Sequence, residues 1–239
     1  MKPTEAEIAA AAQALGGATP TDVMRWGLTR FGQKMAIASS FSLEDNVVTD
    51  IAFKIDPKVR VFALDTGRLP EETYQAAERV RDKYGIEIEW LFPEHVAVET
   101  LLRKKGSYSF MDSLDNRHEC CGIRKVEPLG RILGTLEAWV TGLRRDQSVT
   151  RADTASVQLD AGHGGIAKVN PIIAWSNEEL WAYADAERVP VHTLHRKGYP
   201  SIGCQPCTRA VQPGEHPRAG RWWWENPESK ECGLHPVKD

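Results

Sequence analysis

The residues most able to do chemistry in this 239-residue chain are its five cysteines, and they are grouped rather than scattered. Cys120 and Cys121 are adjacent, Cys204 and Cys207 form a C-x-x-C, and Cys232 stands alone seven residues from the end. Thiolates at such spacings hold a zinc ion or an iron–sulfur cluster, and free cysteines also serve simply as small buried apolar groups. Neighbours on a helix point about 100° apart, so an adjacent pair converges poorly on one tetrahedral ion while reaching two corners of a larger cube. Spacing alone leaves cluster, zinc and buried thiol open. Lys125, four residues after Cys121, shares that cysteine's face on a helix and brings a cation to the thiols. Cys232, in a terminal segment of the kind that is commonly mobile, is the candidate for a thiol that visits a site and leaves it.

Two further segments suit anions. Ser39-Ser40-Phe41-Ser42-Leu43-Glu44-Asp45 lies between an apolar run and a helix. Free amides at a helix start plus serine hydroxyls can cradle an anion, and ordinary N-capping explains the serines as well. In Thr141-Gly142-Leu143-Arg144-Arg145-Asp146-Gln147-Ser148, Arg144 and Arg145 with Arg151 follow a short apolar run. Their guanidinium forks suit phosphate or sulfate, whereas clustered arginines elsewhere are usually a solvated charge run.

The elements that must position these residues alternate. Thr4-x-x-Glu7 is a capping-box pattern opening an alanine-rich helix that Gly16-Gly17 ends, and Thr19-Pro20 opens a second helix stopping near Gly32. Strands are expected at Met35–Ala38, Val59–Leu64, Ile86–Leu91 and Ala138–Thr141, and helices at Leu43–Phe53, Pro70–Tyr84 and Val96–Lys105. This alternation predicts a mostly parallel α/β sheet with helices on both faces, whose ligands sit beyond the carboxyl ends of the strands. Ser39–Asp45, Asp65–Gly67 and Thr141–Arg151 are all such exits. From Leu159 the pattern weakens: residues 161–165 are glycine-rich, Trp175–Glu187 reads as a helix, and Pro190–Cys207 reads as irregular. One α/β domain over residues 1–212, with a mobile extension over 213–239, is the expected organisation.

Apolar residues make up 41% and charged residues 26%, with a formal net charge of −3. No global field favours nucleic acid or an anionic membrane, and no apolar run reaches the roughly 20 residues of a membrane span. The alanine-rich beginning does not read as a signal peptide. The expectation is a cytoplasmic protein that binds neither nucleic acid nor membrane and forms a homo-oligomer.

Taken together, the segments resemble one family, the assimilatory adenylyl-sulfate and phosphoadenylyl-sulfate reductases. The resemblance rests on the two anion segments above, on Leu64-Asp65-Thr66-Gly67, on Cys120 through Leu129, on Gly198 through Thr208 with its C-x-x-C, on Arg218-Ala219-Gly220-Arg221-Trp222-Trp223, and on Glu231-Cys232-Gly233-Leu234-His235. It implies a Rossmann-like adenine nucleotide α-hydrolase fold and one [4Fe–4S] cluster per subunit, held by Cys120, Cys121, Cys204 and Cys207. It implies that Lys125 lies between cluster and substrate and that Arg151, Arg218, Arg221 and His235 hold a phosphosulfate. Ser39, Ser40 and Ser42, with Leu64, Asp65, Thr66 and Gly67, would hold the nucleotide. The activity implied is reduction of adenylyl sulfate to sulfite and AMP through an S-sulfonated Cys232, with thioredoxin as electron donor. The 3′-phosphorylated nucleotide is the alternative substrate. Other readings are a tRNA-thiolating enzyme on the same fold and a zinc-binding interaction module. Phe41 and Leu43 stand where related ATP-pyrophosphatases carry glycines, as suits a loop that wraps no triphosphate.

Overall fold

The computed structural model describes residues 2–147 and 153–226. Helix α1 (Glu5–Ala14) begins where Thr4 Oγ1 accepts the Glu7 N–H at 3.2 Å, and α2 (Pro20–Phe31) where Thr19 Oγ1 accepts from Asp22. These bonds satisfy amides that a helix start leaves without partners. Then follow β1 (Met35–Ala38), α3 (Leu43–Ile55), β2 (Arg60–Leu64), α4 (Glu71–Tyr84), β3 (Ile88–Leu91) and α5 (His95–Lys105). Helices α6 (Leu114–Cys121) and α7 (Glu127–Leu133) flank a π-helical turn at Gly122–Val126. The chain continues through β4 (Ala138–Val140), β5 (Val157–Asp160), β6 (Ile166–Val169) and α8 (Asn177–Ala186).

The six strands form one sheet in the order β3-β2-β1-β4-β6-β5. β1 pairs in parallel with β2 and β4, β4 in parallel with β6, and β5 runs antiparallel to β6. The mostly parallel α/β sheet expected from the alternation is therefore present, with an antiparallel edge. The hairpin β5–β6 lies where the sequence pattern weakens. Gly164 and Gly165, with φ of 74° and 70°, make its turn, a conformation that glycine adopts without steric penalty. No helix among the described residues is long and apolar enough to cross a membrane.

The chain divides into two compact units. The first comprises Met1–Ala63, Thr73–Glu89 and Leu133–His192; the second comprises Leu64–Glu72, Trp90–Ile132 and Thr193–Asp239. The expected boundary at residue 212 falls inside the second unit. There Arg209 N–H donates to Gly220 O at 2.9 Å and Trp222 N–H to Cys207 O at 3.2 Å, so residues up to 226 fold back on the C-x-x-C segment.

In the first unit α3 packs on β1, α2 and α8, burying Val47, Val48 and Ile51. Each such side chain contributes about 1.5–3 kcal/mol. Three helices of this unit meet at Asp50, which is 1% exposed. Its carboxylate accepts from Tyr84 Oη at 2.9 Å and Tyr183 Oη at 2.8 Å, and pairs with Lys54 at 2.7 Å. Asp50→Ala leaves two tyrosine hydroxyls without this acceptor and Lys54 with Glu187, 2.7 Å away, as its remaining carboxylate. It is expected to lower the urea unfolding free energy by about 3 kcal/mol with an unaltered m-value; a loss under 1 kcal/mol would show the network to be marginal.

Candidate active site

All four central cysteines are free thiols, and they line one cavity of the second unit. Arg68, Arg117, Arg124, Lys125 and Arg221 share its wall, with Phe110 and Trp222. Cys120 and Cys121 end α6, and the π-helical turn that follows carries Arg124 and Lys125. The local cause is Pro128: it has no N–H for the carbonyl four residues back, and its ring clashes with that carbonyl. A wider turn ahead of it relieves both conflicts, and such turns concentrate at functional sites.

Leu64–Gly67 leaves the end of β2 and belongs to this same unit. Asp65 Oδ1 accepts from Gly67 N at 2.7 Å, while Thr66 Oγ1 lies 3.2 Å from Cys204 Sγ and Thr66 O accepts from Arg124 at 2.6 Å. The segment expected to meet the nucleotide thus also touches the thiols. Arg221 donates to Ile202 O at 3.2 Å and lies over the Trp222 ring at 4.6 Å. A Cβ on Gly203 would stand 2.2 Å from the Arg221 guanidinium, so only glycine lets that side chain lie flat here. Arg117, fully buried, pairs with Glu225 at 2.6 Å and stacks on Trp222 at 4.5 Å.

Charge separates the thiols. Burial would raise Cys204, but Lys125, the Thr66 hydroxyl, Arg221 and Arg124 outweigh it and hold the thiol below its ordinary value. Burial and the Cys204 charge push Cys207 up to about 12. Burial also raises Cys120, against the opposing fields of Arg124 and Arg68. Among the described residues no three Cys, His, Asp or Glu side chains converge closely enough to hold a single metal ion.

The other anion segment belongs to the first unit. Asp45, at the start of α3, accepts from Ser40 N and Ser40 Oγ, both at 2.7 Å, and from Ser42 Oγ at 3.3 Å. Ser39 Oγ accepts from Phe41 N at 3.1 Å. The structure brings Arg144 to this loop through Glu44, 3.1 Å away, and Arg144 also pairs with Asp146 at 2.6 Å. Gln147 donates to the same Glu44 oxygen at 2.9 Å. Arg144, expected as an anion ligand, is therefore committed to two carboxylates of its own chain. Arg145 is exposed and donates to Thr154 O at 3.1 Å. Arg218 is half-buried and is not among the residues lining the cysteine cavity. Arg151, Cys232 and His235 lie outside the described residues. The sequence reading gave no role to Arg68, Arg117, Arg124 or Trp222 in the cavity wall. For Arg124 and Trp222 a signal existed, since each adjoins a residue singled out for the site.

Desolvation of the Asp45 carboxyl pushes its pKa up to about 6; the Ser40 hydrogen bonds oppose the rise, and the Glu44 charge adds to it. A raised carboxyl stabilises the fold when protonated, so its contribution is complete below the ordinary value near 3.8 and is lost as pH rises through 6. Asp45→Asn abolishes this titration. The melting temperature of the variant relative to the parent is expected to rise between pH 4 and 7.5; a difference independent of pH would contradict the assignment.

Comparison with known proteins agrees with this construction. Residues 34–210 match the family model described as the phosphoadenosine phosphosulfate reductase domain. An adenosine 5'-phosphosulfate reductase of Burkholderia cepacia is 50% identical over 202 residues, covering 84% of this chain and 80% of that protein. A 5'-adenylylsulfate reductase 3, chloroplastic, of Arabidopsis thaliana is 47% identical over 94% of this chain, which spans half of that plant protein. In fold, the crystal structure of phosphoadenylyl-sulfate reductase from Candida auris superposes with a TM-score of 0.74 at 24% identity, covering 88% of this chain and 99% of that one. With the family model spanning most of its length and a relative half identical over four-fifths of it, the chain belongs to the adenylyl-sulfate and phosphoadenylyl-sulfate reductase family.

Proposed function

We propose that this protein reduces adenylyl sulfate to sulfite and AMP in assimilatory sulfate reduction. The observation that carries the reading is the cavity in which four cysteines from two distant segments meet Lys125, Arg124 and Arg221. Relatives 44–50% identical that are named adenosine 5'-phosphosulfate reductases favour the substrate without a 3′-phosphate.

The donor set fits a [4Fe–4S] cluster. Four thiols face one cavity without converging on a point, and two buried donors on its wall, Arg124 Nε and Trp222 Nε1, have no acceptor. Cys120, Cys121, Cys204 and Cys207 would hold the group, which supplies concentrated negative charge beside Lys125. Lys125 and Arg221 hold the negative oxygens of the phosphosulfate, and the Ser39–Asp45 loop binds the nucleotide.

Adenylation gives the sulfate sulfur a good leaving group. In the proposed sequence the Cys232 thiolate attacks that sulfur, an S–S bond forms, the S–O bond to the phosphate breaks, and AMP departs with the electron pair. One thiol of a reduced thioredoxin then attacks Cys232 Sγ and expels sulfite. Its second thiol resolves the mixed disulfide and restores the Cys232 thiolate, so the dithiol supplies both electrons. This chemistry suits a cytoplasmic enzyme with thioredoxin as partner. Sulfur-labelled adenylyl sulfate without reductant is expected to leave about one label per chain on the parent and none on Cys232→Ser. Label retained by that variant rules out the nucleophile. Anaerobic protein is expected to contain about four iron and four acid-labile sulfide per chain, and turnover at full rate by iron-free protein would overturn the cluster assignment.

A further inference from the structure

Phe41 stands in the middle of the Ser39–Ser42 loop with φ of 58°. Bulky residues avoid this left-handed conformation, and it persists only where the surroundings over-determine it. Here the surroundings are on view. The Phe41 ring is 1% exposed, its N–H donates to Ser39 Oγ at 3.1 Å, and its carbonyl accepts from Asn46 Nδ2 at 3.2 Å. The same Asn46 amide donates to Pro190 O at 2.8 Å. Asn46 is wholly buried on α3, and its Oδ1 has no hydrogen-bond partner. Burying an amide with one atom unsatisfied is unfavourable, so an apolar side chain of this size would serve packing better. What an apolar side chain cannot do is hold two carbonyls.

We propose that Asn46 is a positioning residue for nucleotide binding: it clasps Phe41 in its left-handed conformation and so sets the serines on either side of it. Ser40 and Ser42 flank Phe41 and both turn their hydroxyls to Asp45. A flip at residue 41 would change the direction of the chain between them. Where a glycine would permit this shape, the Asn46 clasp enforces it, leaving the loop ordered before a ligand arrives. The inference rests on the nucleotide reading of this loop given above.

The test uses AMP as probe, by calorimetry on the full chain, beside adenylyl sulfate kinetics and thermal melts. Asn46→Leu keeps size and removes both donors. It is expected to weaken AMP binding at least tenfold and to raise KM for adenylyl sulfate by a similar factor, with kcat falling less than threefold. Adding Phe41→Gly to that variant restores part of the AMP affinity while lowering the melting temperature further, because glycine holds φ of 58° without the clasp and the lost ring leaves a cavity. Asn46→Leu binding AMP within twofold of the parent, whatever its melting temperature, overturns the positioning role. If the double variant does not fold, the single variant's affinity still decides. A parent protein that turns over adenylyl sulfate with an intact AMP site isolates failure of this inference from failure of the function; a parent that does neither overturns both.

Discussion

Positive charge held out of water sets the terms for the second unit. Arg117, Arg124 and Arg221 are each at most 6% exposed, and with Lys125 they face the same cavity. Guanidinium groups placed this way need anionic or strongly polar partners. Glu225 answers Arg117, but the acceptors described for Arg124 and Arg221 include the neutral carbonyls of Thr66 and Ile202. The Cys204 thiol answers this field, and it sits below its ordinary pKa despite its burial. The dependence runs both ways: burying the cations costs less beside a thiol that can ionise, and without the cations burial would raise Cys204 as it raises Cys120 and Cys207. Gly203 and Gly220, where a Cβ would meet the Arg221 guanidinium and the Arg209 carbonyl at 2.2 Å, mark how closely the backbone must approach to keep this arrangement closed.

The first unit shapes its strand exits by a different device. Its loop after β1 has no glycines, and every turn of the backbone is fixed by a side chain: Ser39 for the Phe41 amide, Asn46 for the Phe41 carbonyl, Asp45 for Ser40 and Ser42. Behind it, Glu44 gathers Arg144 and Gln147 from the loop after β4, and the Gly142 backbone lies so close that a Cβ would be 2.6 Å from Asp45 Oδ1. Two strand exits are thereby joined into one rigid rim. A buried ion pair of this kind contributes more to definition of shape than to net stability, since desolvation offsets much of its Coulomb attraction.

What the sequence made legible was whatever is locally determined. Thr4, and Thr19 with Pro20, each announce a helix start and each is found capping one. The parallel core strands were readable as apolar runs because both sheet faces are covered. The β5–β6 hairpin was not: the strands are four residues each, and the glycines between them read as weakening of pattern when they are the turn itself. The partners of Arg144 were hidden for another reason. Its partner Glu44 is 100 residues away, so a run of arginines advertises its charge and hides the carboxylate that neutralises it. The fold-back of residues up to 226 was hidden similarly, because the bonds linking Arg209 to Gly220 and Cys207 to Trp222 are made across a loop with no regular periodicity.

The π-helical turn shows how one local fault in a helix can serve the site. In a regular helix, Lys125 would lie about 40° from the direction of Cys121 and about 140° from that of Cys120, attending one thiol of the pair and turned from the other. A turn closed by bonds five residues apart holds more residues per revolution, which rotates Lys125 back until it lies between the two directions. All three residues, with Arg124, do line one cavity. Adjacent cysteines are a poor arrangement on a regular helix, and the widened turn ahead of Pro128 carries two cations to the thiols, Arg124 acting on Cys120 and Lys125 on the more distant Cys204 and Cys207. The helix conflict imposed by proline and the electrostatic demand of the thiols are thus met by the same five residues.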